Sequence, residues 1–471
     1  MELDLLVRNA RIVHPDQGVV DGDLGVSNGL IVGVVDGSRV QAARILHAEG
    51  KYLLPGVIDP HTHPGLVAPL RSRWPLESRS AAAGGVTTLI SYLRRLESYH
   101  TVVPDRISVA QAALLQDYTF HLTLFNDRHL AEIPEYIRKL GVTSFKIYMN
   151  SRMPLAKRMR MDALDHQATV ETAAVDFDLD FLVRVFEALH PVRHGIRLNV
   201  HCEDSEVIAA ATSRISGTGR RGLAAWNEAR PPISESLAIH QAAALSRAYA
   251  VPLYIPHIGN RTALQAVDEA RILQTDVRAE SCPHYLVLTD QAGEAAKVSP
   301  PIRSSADQEA IRDAIEDGRL DTLGSDEIPY RADEKAMSDF WEQNSAFSGS
   351  GLLLPIAVTS GLSITSIARV TSSNVAKCFG LHPRKGTLAE GSDADFTIID
   401  VDHEHEVVAK ELQGSSDFSV YEGMTLRGWP TTTVSRGEII FDAGRFPAAP
   451  GRGIFLRRDG ASLSQSSVDL P

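Results

Sequence analysis

Leu53-Leu54-Pro55-Gly56-Val57-Ile58-Asp59-Pro60-His61-Thr62-His63 is an apolar run that leads into a His-x-His pair. Residues i and i+2 of an extended chain face the same way. A strand over Leu53–Ile58 therefore delivers His61 and His63 side by side at its end. Alone, such a pair reads more readily as two ordinary polar residues than as a site. Its weight comes from seven further apolar runs: Val86–Tyr92, Phe120–Phe125, Val142–Tyr148, Ile196–Val200, Pro252–Pro256, Asp276–Glu280 and Asp321–Ser325. Helical stretches rich in Ala, Leu, Glu and Arg lie between them, among them Phe181–Leu189, Glu235–Ala248, Thr262–Leu273 and Asp307–Glu316. Eight β-then-α units predict an α/β fold, a parallel (β/α)8 TIM-like barrel over residues 53–378.

The two ends read differently. Leu5, Val7, Ile12-Val13 and Leu30-Ile31-Val32 alternate as strands do, with Asn28-Gly29 as a hairpin turn. Phe396–Ile399 and Glu438–Phe441 are also strand-like. Neither end holds enough apolar strand to close a stable sheet by itself. Residues 1–52 and 379–471 are therefore expected to build one small composite β domain, with a tail at the C-terminus.

The chain of 471 residues is 44% hydrophobic and 23% charged, with 47 Lys+Arg against 59 Asp+Glu and a net charge of −12. That acidity disfavours nucleic acid or anionic lipid as the main partner. No apolar run approaches the length of a membrane span. Met1-Glu2-Leu3-Asp4 lacks the basic-then-apolar layout of a secretory signal, and three cysteines cannot make a disulfide framework. A cytoplasmic protein with no membrane partner is the expectation.

Barrel active sites lie at the C-terminal ends of the strands. Strand four ends Ser144-Phe145-Lys146-Ile147-Tyr148, strand five ends in His201, strand six in His257 and strand eight in Asp326. Each alone has a structural reading, and a lysine at a strand end commonly snorkels. Together, four histidines, a lysine and an aspartate at equivalent strand ends have the ligand types of a zinc hydrolase. A protonated lysine cannot ligate a metal. Reaction with carbon dioxide would turn it into an anionic carbamate whose two oxygens can bridge two cations.

At these positions the sequence resembles the cyclic amidohydrolases: hydantoinases, dihydropyrimidinases, allantoinases and dihydroorotases. The matching pieces are PGVIDPHTH (55–63), GGVTTL (84–89), SFKIYM (144–149), NVHCED (199–204), RPPISESLAI (230–239), SCPHYL (281–286), VSPPIR (298–303), LGSD (323–326) and KGTLAEGSDADF (385–396). The resemblance implies two Zn²⁺ per subunit, other divalent metals being possible. His61, His63, Lys146 and Asp326 would hold one, and Lys146, His201 and His257 the other. Lys146 would be the N6-carboxylated bridge. It also implies ring opening of a small cyclic ureide or imide by a metal-bound hydroxide, with Asp326 as the catalytic base, in a homo-oligomer, tetramer or dimer. Ser299 matches a position that contacts the substrate ring, or else caps its own loop.

The sequence departs from the pattern in two places. Dihydroorotases carry an Arg two residues after the second His, where this chain has Gly65. A neutral ring is therefore expected over dihydroorotate, unless an arginine such as Arg158 or Arg160 supplies the anchor. Hydantoinases carry an oxyanion Tyr five residues after the bridging lysine, where this chain has Ser151. Tyr148, another loop donor or zinc itself then takes that role, and allantoinase stays open beside hydantoinase. Glu327 either repels anionic substrates or faces solvent, Cys202 and Cys282 read as small buried hydrophobes, and Leu155–Asp176 reads as a lid or an ordinary loop. The competing classes are a mononuclear barrel deaminase, which needs no bridging lysine, and an inactive interaction homologue, which need not keep all six ligand positions.

Overall fold

The computed structural model describes residues 2–151, 158–164, 172–174 and 176–459. Eight parallel strands pair in chain order: Val57–Thr62, Val86–Leu93, Asp117–Thr123, Ser144–Tyr148, Arg197–His201, Leu253–Ile255, Val277–Ser281 and Thr322–Leu323. These are barrel strands one to eight. The first and last are joined by a parallel bridge between Thr62 and Glu327. His63 N donates to Glu327 O at 3.0 Å and Glu327 N to His61 O at 3.3 Å. The same backbone atoms that close the barrel thus set the His-x-His pair.

The expected helices form, at Leu179–Leu189, Pro232–Tyr249, Arg261–Ile272 and Ser305–Glu316. Their starts are fixed by local chemistry. Asp178, Asn260 and Ser304 each accept a backbone N–H of the first turn, which satisfies a donor the helix cannot. Their apolar faces pack on the barrel in one continuous core that includes Leu182, Val185, Ala242, Leu264 and Ile311.

The composite sheet also forms. Its strands run Glu438–Asp442, Thr425–Ser435, Phe396–Glu406, Tyr52–Pro55, Glu2–His14, Gly18–Ser27 and Leu30–Val35, with Gln41–His47 parallel to Glu2–His14. Tyr52–Pro55 pairs antiparallel with Phe396–Ile399, so the two ends of the chain meet in one sheet. Here the expected strand Leu53–Ile58 divides. Tyr52–Pro55 belongs to the composite sheet and Val57–Thr62 to the barrel, with Gly56 as the crossing point. A Cβ at Gly56 would run into the Thr87 side chain, so only glycine lets the chain pass so close to strand two. Past the sheet, Ile454 and Leu456 bond Tyr118 along strand three, which returns the chain to the barrel. No helix among the described residues is long and apolar enough to cross a membrane.

Barrel and sheet share a buried ionic cluster. Lys385 Nζ lies 2.6 Å from Asp117 Oδ2, 2.7 Å from Asp395 Oδ2 and 2.9 Å from Asp393 Oδ2, and it is 1% exposed. Asp117 opens strand three, while Asp393 and Asp395 precede Phe396. Removing one member of a buried charge group leaves the others uncompensated and costs about 3–5 kcal/mol. Lys385→Met should therefore lower the thermal unfolding midpoint by several degrees in scanning calorimetry. An unchanged midpoint would mean that the cluster carries no stability.

Candidate metal centre

All six expected ligands stand at the C-terminal mouth of the barrel. His61 is the last residue but one of strand one with His63 just beyond its end, Lys146 lies in strand four and His201 ends strand five. His257 and Asp326 follow strands six and eight within three residues, both at positive φ, 50° and 51°. A non-glycine residue in that region costs of order 1–3 kcal/mol and is held there by its surroundings. The turn swings each side chain inward.

Three donors converge. His61 Nε2 lies 3.2 Å from His63 Nε2. Asp326 Oδ1 lies 3.0 Å from the first and 3.3 Å from the second. The rings of His201 and His257 are 4.5 Å apart, and that of His257 is 5.6 Å from that of His61. Lys146 Nζ sits between, 4.8 Å from the Tyr92 ring and 4.9 Å from the Tyr148 ring. It is fully buried and has no hydrogen-bond partner among the described residues. Burial pushes its pKa down to about 7. At His61, burial disfavours the imidazolium, yet Glu280 and Asp326 outweigh it and raise the pKa to about 9. Burial instead pushes His63 and His257 well below the usual imidazole range, which keeps both neutral rings suited to ligation. Imidazoles, a carboxylate and an amine freed of its proton are a donor set that fits zinc.

Several residues that sequence reasoning passed over hold the donors in place. Glu280 Oε1 lies 2.6 Å from His61 Nδ1, which leaves Nε2 for a metal. Tyr254 donates to the other Glu280 oxygen at 2.6 Å. Glu203 Oε2 accepts from His201 Nε2 at 2.7 Å, which leaves Nδ1 available. Burial would raise the Glu203 carboxyl, but Arg230, bonded at 2.8 and 2.5 Å, and His201 hold it well below the usual range. Asp59 Oδ1 accepts from His61 N and Ser325 N, each at 3.1 Å. Each is a carboxylate in or beside an apolar strand, a signal available to sequence reading, because such a group is buried only with partners.

The mouth opens into a cavity of about 850 Å³ lined by the six candidate ligands and by Arg94, Tyr148, Ser151, Arg160, Ser299 and Tyr330. Ser299 and Ser151 both face it. Tyr148 OH accepts from Arg94 Nε at 3.0 Å and Nη2 at 2.7 Å. Glu327 does neither thing expected of it. Its carboxyl is buried away from the cavity and accepts Gly349 N at 3.1 Å and Ser350 N at 2.6 Å. Burial and the neighbouring Glu77 carboxyl raise its pKa to about 8. Cys202 and Cys282 are buried. Of the expected lid segment Leu155–Asp176, residues 155–157, 165–171 and 175 lie outside the described residues.

Comparisons with known proteins agree with this geometry. The profile of the Amidohydrolase family matches residues 163–440. The chain is 30% identical to the L-hydantoinase of Paenarthrobacter aurescens over 98% of its own length and 100% of the relative's. It is 30% identical to the allantoinase of Deinococcus radiodurans, over 97% and 99%. The solved L-hydantoinase (dihydropyrimidinase) of Arthrobacter aurescens superposes with a TM-score of 0.86 at 29% identity, covering 97% of this chain and 100% of that one.

Removing a partner that orients a metal-ligating histidine typically weakens metal binding about 10–100-fold. Glu280→Gln should therefore release metal to a competing chelator at least tenfold more readily than the wild type, with an unchanged circular dichroism spectrum. Equal retention would detach Glu280 from the site.

Proposed function

This chain belongs to the amidohydrolase family, and from that premise we propose that it hydrolyses a cyclic amide, opening a hydantoin- or dihydropyrimidine-type ring with two Zn²⁺ held at the barrel mouth. The observation that carries the reading is the convergence of His61, His63 and Asp326 beside a buried lysine amine that has no hydrogen-bond partner among the described residues. His61, His63 and Asp326 would hold one ion and His201 and His257 the other. Lys146 would serve both once its amine had taken up carbon dioxide and lost a proton, which would convert a donor without a partner into an anion with two acceptor oxygens. When bound, the zinc pair supplies a water acidified to near pH 7 and polarises the ring carbonyl.

The protein's own groups do the rest. Asp326 takes the proton released as water adds to the carbonyl carbon. It returns that proton to the ring nitrogen as the C–N bond breaks, leaving a carboxylate and an open-chain carbamoyl or amide group. Tyr148 accepts both of its hydrogen bonds from Arg94, so its own proton is available to the carbonyl oxygen as negative charge develops. This gives Tyr148 the role that the short Ser151 cannot reach. Ser299, on the cavity wall, bonds the ring's N–H or C=O groups.

A second reading, an allantoin ring, draws support from the allantoinase likeness and from Ser151. The buried lysine argues against a mononuclear deaminase, and six filled ligand positions argue against an inactive homologue. The proposal includes a homo-oligomeric, cytoplasmic enzyme. The net charge of −12 and the buried thiols are in keeping with that setting.

Ring opening should be measured on hydantoin, dihydrouracil, allantoin and dihydroorotate, with metal analysis alongside. Two metals per chain are expected in the wild type, and Lys146→Ala should lose at least one of them together with its activity. Asp326→Asn should lose roughly 10²–10⁴-fold in kcat. A Lys146→Ala protein that kept two metals and full turnover would end the bridge assignment, and near-normal kcat in metal-loaded Asp326→Asn would end the base assignment.

A further inference from the structure

Among the described residues, four cationic side chains other than Lys146 line the cavity: Arg94, Arg160, Arg230 and Lys297. Two are already engaged. Arg230 grips Glu203 with two bonds, and Lys297 donates to the carbonyl oxygens of Phe340, Trp341 and Gln343. The guanidinium groups of Arg94 and Arg160 have no carboxylate partner among the described residues. Arg94 donates Nε and Nη2 to the Tyr148 hydroxyl. Arg160 lies over the Tyr330 ring at 5.7 Å.

Both are held on one side of the cavity. The backbone around Arg160 is pinned to strand two: Asp162 N donates to Arg94 O at 3.2 Å, and Arg94 N donates to Asp162 Oδ1 at 2.7 Å. The other Asp162 oxygen is taken by Arg106. Arg94 and Arg160 line the same cavity as the six candidate ligands, and Arg94 holds the hydroxyl of Tyr148, whose ring lies 4.9 Å from Lys146 Nζ. Position 65 cannot provide such a cation. Gly65 has φ 81°, and a Cβ there would lie 3.1 Å from Leu70, Asp162 and Ala163. The carboxylate of Glu342 also lines the cavity but is exposed.

An unpaired cation in a partly closed cavity lacks its counter-charge, and the planar guanidinium fork matches a carboxylate. We infer that Arg94 and Arg160, the latter over the Tyr330 ring, form a subsite for a carboxylate carried on the substrate ring, so that the preferred substrates are cyclic ureides with a carboxyl or short carboxyalkyl substituent. This revises the expectation drawn from Gly65. It rests on the ring-opening reading above and names the substrate class within it.

The test measures kcat/KM of the zinc-loaded enzyme on matched pairs. Dihydroorotate, hydantoin-5-acetate and hydantoin-5-propionate are each compared with their primary amides, and unsubstituted hydantoin and dihydrouracil serve as references. At least one acid should exceed its amide by roughly tenfold or more, as expected for a charge-assisted pair. In Arg160→Gln and in Arg94→Gln that acid-to-amide ratio should fall at least fivefold, with Arg160→Lys keeping part of it. Amides equal to or better than every acid, while the neutral rings are opened, would overturn the subsite and leave the ring-opening reading standing. So would a wild-type ratio retained by both glutamine variants. No turnover of any ring, charged or neutral, would overturn the ring-opening reading and the subsite with it.

Discussion

A buried primary amine at the cavity floor, with no hydrogen-bond partner among the described residues, is the constraint on which this molecule turns. Lys146 lies in strand four, fully buried, with aromatic faces on two sides. As an ammonium it would face a large desolvation penalty. As a neutral amine it would be an orphaned donor. Either form is unfavourable in an inert core, and a barrel built only for stability would place an aliphatic residue there. The surrounding donors give the position its sense. Imidazoles from strands one, five and six and a carboxylate from strand eight gather at the same barrel mouth, the setting in which the proposed cations and carboxylated lysine would satisfy one another.

Holding that arrangement takes more than the donors. Each of His61 and His201 has one nitrogen fixed by a buried carboxylate, Glu280 or Glu203, which decides which nitrogen faces inward. Asp59 binds the backbone on both sides of the seam between strands one and eight. Glu327 finishes the seam with its backbone and turns its carboxyl into the wall behind it. Barrel closure and site assembly are therefore one event. A change at the seam would displace His61, His63 and Asp326 together.

The strand ends were legible because a barrel places chemistry at a fixed structural address, and histidines after apolar runs mark that address. The capped helices were legible for local reasons. Glu280 was harder: its partner His61 is 219 residues away, and nothing nearby says which histidine it serves. The division at Gly56 was hidden because an apolar run through one glycine reads as a single strand. Only the pairing of Tyr52–Pro55 with Phe396–Ile399 shows that the run serves two sheets. Glu327 misled because adjacency to a ligand in sequence says nothing about facing. At a seam, consecutive residues point to opposite sides.

The same division of labour explains why the chemistry could be read from the sequence more readily than the specificity. The candidate metal donors come from strands or the residues just after them, whose register is fixed by backbone pairing. Much of the outer cavity wall comes from longer connections, held by single side chains. Lys297 gathers the carbonyls of Phe340, Trp341 and Gln343, while Lys335 bonds Lys297 O and Ala346 O, both at 2.7 Å. Two buried lysines thus shape one wall through backbone oxygens, and Asp162 shapes the facing one through Arg94 and Arg106. Such tethers leave no periodic trace in a sequence. A short change in either connection can re-aim the wall without moving the strand ends, so ring chemistry and ring preference are free to vary separately.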